Sequence, residues 1–441
     1  MTHLKTKLSA VLVSSTFCSL GYASGFAIQE QSVTGLGRAF AGSAAVADDA
    51  STIFFNPAGL SYLTQDEIAI GLHYIAPQND FTDGGSSIPT AFGGTPQTGN
   101  DGSDAGQDAV VPNLFYAKRI NEKLVAGIGI TAPFGLVTEY KDTWQGRYHA
   151  IRSDLKTINI NPSFAFQANE KLSVGMGFTV QYIDLELTQA VDFGAICAGV
   201  PIAGCAVPQN NDGQVKLNAD DWGWGYNFGV IYQATDATRF GLSYRSKISH
   251  HLTGKGRFRI PDNAAALSTT FADGRVTGDV DLPESASLAV HHELNDKVAI
   301  SADATWTRWS RFEELVIESD DVASLNSTKP ENWDNTMRYA IGVDYQHSQK
   351  WTFRGGVAYD ETPTSDEFRT ARIPGEDRTW VAIGASYKYS DSITFDAGYT
   401  HIFIKDPKID ETLDLPLDHR LVGKYEGSVD ILSLQARYLF N

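Results

Sequence analysis

The 441 residues carry 53 acidic against 35 basic side chains, a formal net charge of −18. So acidic a surface repels a phosphate backbone, which excludes nucleic acid as a partner. Beyond the N-terminal segment no apolar run reaches the ~18 residues of a membrane-spanning helix, which leaves a secreted soluble protein or an outer-membrane barrel.

Residues 1–23 read as a secretory signal: Lys5 and Lys7, an apolar run from Leu8 to Leu20, then Gly-Tyr-Ala before Ser24. Its removal takes away two lysines and no acids, so the charge moves from −18 to −20. Cys18 is not a lipid anchor, because Phe17 stands where a lipobox needs a small residue. Residues 24–65 follow without strand periodicity. They are rich in Gly, Ala and small polar residues, yet "TIFFNPAGLSYL" is too apolar for a disordered tail. This stretch is expected to be a compact hatch of short helices and turns.

From residue 66 the chain alternates apolar and polar residues in segments about ten long, the signature of a transmembrane β-barrel. Ile68, Ile70, Leu72 and Tyr74 share one face, as do Val174, Met176, Phe178, Val180 and Tyr182, and then Trp222, Trp224, Tyr226 and Phe228. Marking every such segment predicts fourteen strands, near 66–76, 112–120, 123–138, 153–167, 171–189, 220–234, 238–255, 279–293, 297–312, 334–347, 350–361, 378–389, 392–404 and 427–440. Tight polar turns follow the even-numbered strands at Asn121-Glu122, Asn169-Glu170, Asp236, Asn295-Asp296, Ser348-Gln349 and Ser390-Asp391, while the other connections are longer. Short periplasmic turns and long extracellular loops give this rhythm, with both termini in the periplasm. The fold class is therefore all-β: a 14-stranded antiparallel transmembrane β-barrel over 66–441.

The inward face is poor in bulk. Gly127 and Gly129, Gly175 and Gly177, and Gly223 and Gly225 recur at period two, leaving room for another segment against the wall. The hatch is the segment available to fill it. In the third strand Pro133, Phe134 and Gly135 interrupt a segment that otherwise pairs on both edges, which predicts a kink. Cys197 and Cys205 remain after signal removal, and an exported chain favours a loop disulfide between them. The surrounding "AVDFGAICAGVPIAGCAVPQ" and the later "IPDNAAALSTTF" are apolar for loops facing water and read as a capture surface.

Taken in order, "GLGRAFAG", "VADDAS", "NPAGL", "APFGLVTEY", "WQGRYHAIRSDLKTININPS", "WGWGYNFGVIY", "LSYRSK", "WSRFEEL", "WTFRGGVAYDETP" and "IPGEDRTWVAIG" resemble the outer-membrane long-chain fatty-acid transporters of the FadL type, a family that includes aromatic-hydrocarbon channels. The resemblance spans essentially the whole mature chain. It implies a hatch-closed barrel of fourteen strands, an extracellular groove, an internal pocket and a lateral opening at Gly135, with Asn56, Pro57 and Ala58 in the hatch near the passage. Movement of Phe26 is the candidate trigger for release. Arg147, Tyr148 and Arg338 are candidate contacts for a carboxylate, whereas Asp184, Glu186 and Asp334 make an acidic setting that counts against an anion and keeps a neutral hydrocarbon or other lipid as the alternative substrate.

The expected partners are a long-chain fatty acid or other hydrophobic small molecule, and the lipid and lipopolysaccharide of a Gram-negative outer membrane. The barrel is expected to be a monomer and to need no cofactor or metal. A general diffusion porin is the alternative of a different class. An enzyme is disfavoured: no G-x-S-x-G, Walker A or H-E-x-x-H pattern occurs, and the adjacent pairs His250-His251 and His291-His292 point to opposite faces of a strand.

Overall fold

The computed structural model describes residues 25–200, 202, 204–413 and 417–440; residues 1–23, read above as a signal, lie outside the described residues. Alternating side chains along 67–439 build a closed wall of fourteen antiparallel strands. In chain order they are Glu67–Asp83, Ala109–Arg119, Leu124–Thr131 continued by Gly135–Glu139, Arg152–Asn169, Leu172–Asp192, Asp212–Thr235, Thr238–Arg245 continued by Ile248–Arg259, and Gly274–Leu282 continued by Ser285–Asn295. Then come Val298–Thr307, Thr336–Gln346, Trp351–Asp360, Arg378–Lys388, Ile393–Ile404 continued by Lys408–Thr412, and Arg420–Leu439. Each pairs with its sequence neighbour, and the last closes the ring on the first from Glu67↔Leu439 to Asp83↔Gly423. Every predicted strand is present, several extended at their loop ends. Three of the interruptions contain a proline, Pro133, Pro283 or Pro407, which has no N–H to give to a ladder.

The predicted apolar faces are the outward ones: Leu72, Met176, Trp224, Ile341 and Leu434 are all exposed. A closed ring leaves no sheet edge in the membrane, so the backbone is satisfied while these side chains meet lipid. Inside lie the short helices Val33–Leu36, Ser43–Val46 and Thr52–Phe55 and the 3-10 segment Pro57–Tyr62. The loop after the fifth strand is closed by the Cys197–Cys205 disulfide and packs on the loop after the seventh. Phe193, both cysteines and Ala264 are buried there, leaving Val200 and Val207 as the exposed large apolar side chains among its described residues.

Leu434 is 59% exposed and sits mid-strand beside Leu72 and Ala397. Leu434→Arg should therefore destabilise the barrel by about 2–4 kcal/mol, measured by denaturant titration in lipid vesicles.

Candidate transport path

The hatch segments are four to six residues long, so most of their carbonyls have no partner within the hatch. Five arginines reach inward from the wall to meet them. Arg119 donates to the Leu63 carbonyl, Arg239 to Val46 at 2.6 Å, Arg245 to Phe54 at 2.6 Å, Arg338 to Ala39 at 2.6 Å and Arg437 to Asp48 at 3.4 Å. From within the hatch Arg38 pairs with Asp48 at 2.6 Å and with Asp344 of the wall at 2.9 Å.

Close approach is made possible by glycines. A Cβ on Gly127 would meet Ile53 at 2.6 Å and one on Gly175 would meet the Ala58 nitrogen at 2.3 Å, as the period-two reading expected. Gly177, Gly223 and Gly225 instead make room for wall side chains: Asn227 and Ser163 for the first, Ile248 for the other two. Gly229 and Gly241 face the hatch more closely still: a Cβ on the first would fall on Asn56 Oδ1 and one on the second on the Ala44 carbonyl, at 1.7 and 1.9 Å.

Asn56 is fully buried and caps the 3-10 segment, its Oδ1 accepting from the Ala58 N–H at 3.0 Å. Its amide donates to the Ala44 carbonyl at 2.6 Å and to Val230 of the sixth strand at 3.2 Å. Pro57 lines the larger internal cavity, whereas Asn56 and Ala58 do not. Asn56 and Ala58 thus brace the hatch against the wall.

The third strand breaks at residues 132–134. Its pairing with the second strand ends at Leu114↔Ile130, and the two segments meet again only at the isolated bridge Gly106↔Thr138. Between those points no ladder joins the second and third strands, while on its other edge the third strand stays bonded to the fourth, the Thr157 N–H donating to Phe134 at 3.2 Å. The N-terminal tail lies along the inside of the break: the Ile28 N–H donates to Pro133 at 2.8 Å and the Gly135 N–H to Phe26 at 2.9 Å. A side chain at Gly135 would strike Ile28 at 2.7 Å. Phe26 itself is enclosed by Phe134, Trp309, Phe312 and Trp333, with ring centroids 4.9 to 6.0 Å away.

Two chambers meet at this tail. One, with an empty volume of about 500 Å³, is lined by Phe26, Leu136, Leu155, Leu185, Leu187 and Ile373 together with Asp154, Glu331 and Arg372. Burial, with Glu411 nearby, pushes the Glu331 carboxyl up to about 8, so near pH 7 it is largely neutral. Burial lowers Arg372 only to about 10, so it stays cationic. Arg372 donates to Gln189 at 2.6 Å and Ser153 at 3.0 Å, and among the described residues no carboxylate forms an ion pair with it. The other chamber, about 890 Å³, lies on the far side of Phe26 and is lined by Ala27, Ile28, Phe54, Phe55, Pro57, Pro133 and Phe134. Its opposite wall is polar and includes Arg245 and Arg338.

Of the carboxylate candidates, Arg338 reaches a chamber, but Arg147 and Tyr148 line neither. Both are held on Asp212, at 2.7 Å each, in the loop region. Asp184 and Glu186 lie on the same strand face as the exposed Phe178, and it is Leu185 and Leu187 that enter the chamber. Asp184 and Glu186 thus give the lumen no acidic setting; its acids are Asp154 and Glu331 in the smaller chamber and Asp303 in the larger. Asp334 lines neither chamber. Arg372 went unnoticed because it lies in a loop without periodicity; only the neighbouring proline and glycine signalled that the segment turns.

The model of the family described as outer membrane protein transport protein (OMPP1/FadL/TodX) matches residues 13–440. The chain is 30% identical over 424 residues to a long-chain fatty acid transport protein of Escherichia coli O6:H1, covering 92% of this chain and 93% of that one. It is 34% identical over 388 residues to a 47 kDa outer membrane protein of Pasteurella multocida, covering 86% and 87%. The crystal structure of a Pseudomonas aeruginosa FadL homologue superposes with a TM-score of 0.87 at 28% identity, covering 95% of this chain and all of that one. The Ralstonia pickettii toluene transporter TbuX shares the fold at 21% identity, with a TM-score of 0.65 and coverage of 94% and 99%.

Gly229→Val would place bulk where Asn56 now sits, an overpacking that costs about 1–3 kcal/mol. The barrel should still assemble, with its usual heat-modifiable gel mobility. In planar bilayers, however, the variant should conduct ions at least several-fold better than the parent.

Proposed function

Since the chain belongs to the outer-membrane transport family of OMPP1, FadL and TodX, we propose that it is a passive uptake channel for long-chain fatty acids. Uptake proceeds by capture on the extracellular loops, binding in the internal chambers and lateral exit beside the third strand. In this reading residues 1–23 are a signal, 24–65 the hatch and 66–441 a monomeric barrel set in lipid and lipopolysaccharide, with both termini periplasmic.

The observation that carries the reading is the N-terminal tail. Phe26 faces the smaller chamber, Ala27 and Ile28 face the larger one, and the same three residues cover the stretch of the third strand, Pro133, Phe134 and Gly135, that is unpaired toward the second. One small displacement would therefore spoil the first pocket, join the chambers and uncover the gap. An apolar ligand needs such a change, because burying about a dozen methylenes contributes roughly 10 kcal/mol and an undisturbed pocket would release slowly. Arg372 favours an acid over a neutral hydrocarbon, since a bound carboxylate would give its buried charge the direct ion pair that no described residue makes with it, Glu411 acting only through its field. A hatch fixed by five arginines argues against an open porin.

Phe26→Ala removes the ring shared by the aromatic box without touching the backbone bonds to the third strand. Cells carrying it should take up oleate several-fold more slowly and with weaker apparent affinity than cells with the parent protein. Unchanged rate and affinity would defeat the trigger.

A further inference from the structure

Arg245 is the last residue of its strand segment before the interruption at Ser246-Lys247, and it projects into the larger chamber. Its guanidinium lies 4.3 Å over the Phe54 ring, and one nitrogen, Nη2, donates to the Phe54 carbonyl. Nη1 is buried with no hydrogen-bond partner. Nearby cations have their acids: Lys247 pairs with Asp281 at 2.7 Å and Arg311 with Glu284 at 2.9 Å. Among the described residues no carboxylate forms an ion pair with Arg245.

The chamber around it is divided by chemistry. Ser243, Ser285, Ser287, Thr305 and Thr307 line the wall that carries Arg245, together with Asp303, whose carboxylate is already engaged by the Gly42 N–H at 2.7 Å and by Arg338 at 3.9 Å; Ile28, Phe40, Phe55 and Phe134 line the side toward the break in the third strand. A cation with a spare donor among hydroxyls, facing an apolar floor, suits one ligand class: a monocarboxylate with a long apolar chain. A neutral hydrocarbon would satisfy the floor and leave the guanidinium unpaired.

We infer that Arg245 is a second carboxylate station, which receives the fatty-acid headgroup after it leaves Arg372 and holds it while the chain threads toward Pro133 and Phe134. This rests on the fatty-acid reading above and names the residue that makes the inner chamber selective for acids.

The test compares initial uptake of radiolabelled oleate and of oleyl alcohol by cells whose sole channel of this kind is the parent or a variant, each present at equal levels of heat-modifiable barrel. Arg245→Gln should slow oleate uptake about tenfold or more, the loss expected for one charge-assisted hydrogen bond, and leave oleyl alcohol within about twofold. Arg245→Lys should restore most of the oleate rate. Ser285→Asp keeps the arginine and places a competing carboxylate directly across the ladder from it; it should reproduce the selective loss. Equal slowing of both ligands would make Arg245 a structural brace and overturn the assignment, as would normal oleate uptake by either Arg245→Gln or Ser285→Asp. If the parent itself speeds neither ligand, the transport reading falls and the station falls with it. If the parent carries oleate and Arg245→Gln matches it, the station alone falls.

Discussion

A segment enclosed by a barrel has little water to satisfy its backbone, and here that constraint is met by arginines from the wall. Each charge-assisted bond to a buried carbonyl contributes about 1.5–3 kcal/mol, and breaking it strands a charged group as well. Five such contacts join Leu63, Val46, Phe54, Ala39 and Asp48 to the wall, and Asn56 adds bonds to Ala44 and Val230. The tail is held differently. Residues 26–28 use two backbone bonds to Pro133 and Gly135, each contributing about 1 kcal/mol, plus the packing of Phe26. The ordering of these magnitudes localises motion: the tail can shift at a cost the hatch body cannot match. In the proposed mechanism a route that follows the tail would run sideways at the third strand rather than down through the hatch.

The wall was legible because a transmembrane barrel imposes one rule on every strand. Trp222, Trp224, Tyr226 and Phe228 face lipid because the residues between them face inward, and no tertiary contact is needed to predict it. The third-strand break was legible for a related reason, since Pro133 cannot donate to a ladder whatever surrounds it. Loop-end extensions were less legible. Asp212–Thr235 begins eight residues before its apolar alternation does, because above the membrane the strand's pairing is kept while the lipid that demanded alternation is gone.

The interior was harder to read. Alternation identifies which glycines point inward but not what they meet, so Gly175 and Gly223 look alike in sequence while one receives the hatch and the other a wall isoleucine. Gly229 and Gly241, which receive the closest hatch contacts, stand among bulky residues and offer no repeated pattern. The arginines are concealed in the same way. Arg147 in "QGRYH" and Arg372 in "TARIPG" are both loop residues; only the fold shows that Asp212 occupies the first while the second overlooks a chamber. Asp184 and Glu186 show how far a shift of one position matters, because the leucines beside them are the lumenal residues.

In the proposed mechanism, two chambers divided by the Phe26 side chain also change what the channel must overcome. A single pocket burying the whole alkyl chain would hold it with roughly 10 kcal/mol, and the ligand would have to lose all of it in one step. With Phe26 between Leu185 and Leu187 on one side and Phe55 and Phe134 on the other, each methylene that leaves the first chamber can enter the second. The free energy along the path is then set by differences between two apolar surroundings, which are small, rather than by transfer to water. The headgroup needs the same treatment, for a carboxylate leaving Arg372 with no second cation would cross an apolar constriction unpaired. Arg245 on the far side of Phe26 offers that second cation, and so the charge can travel by exchange of partners, as the chain travels by exchange of contacts.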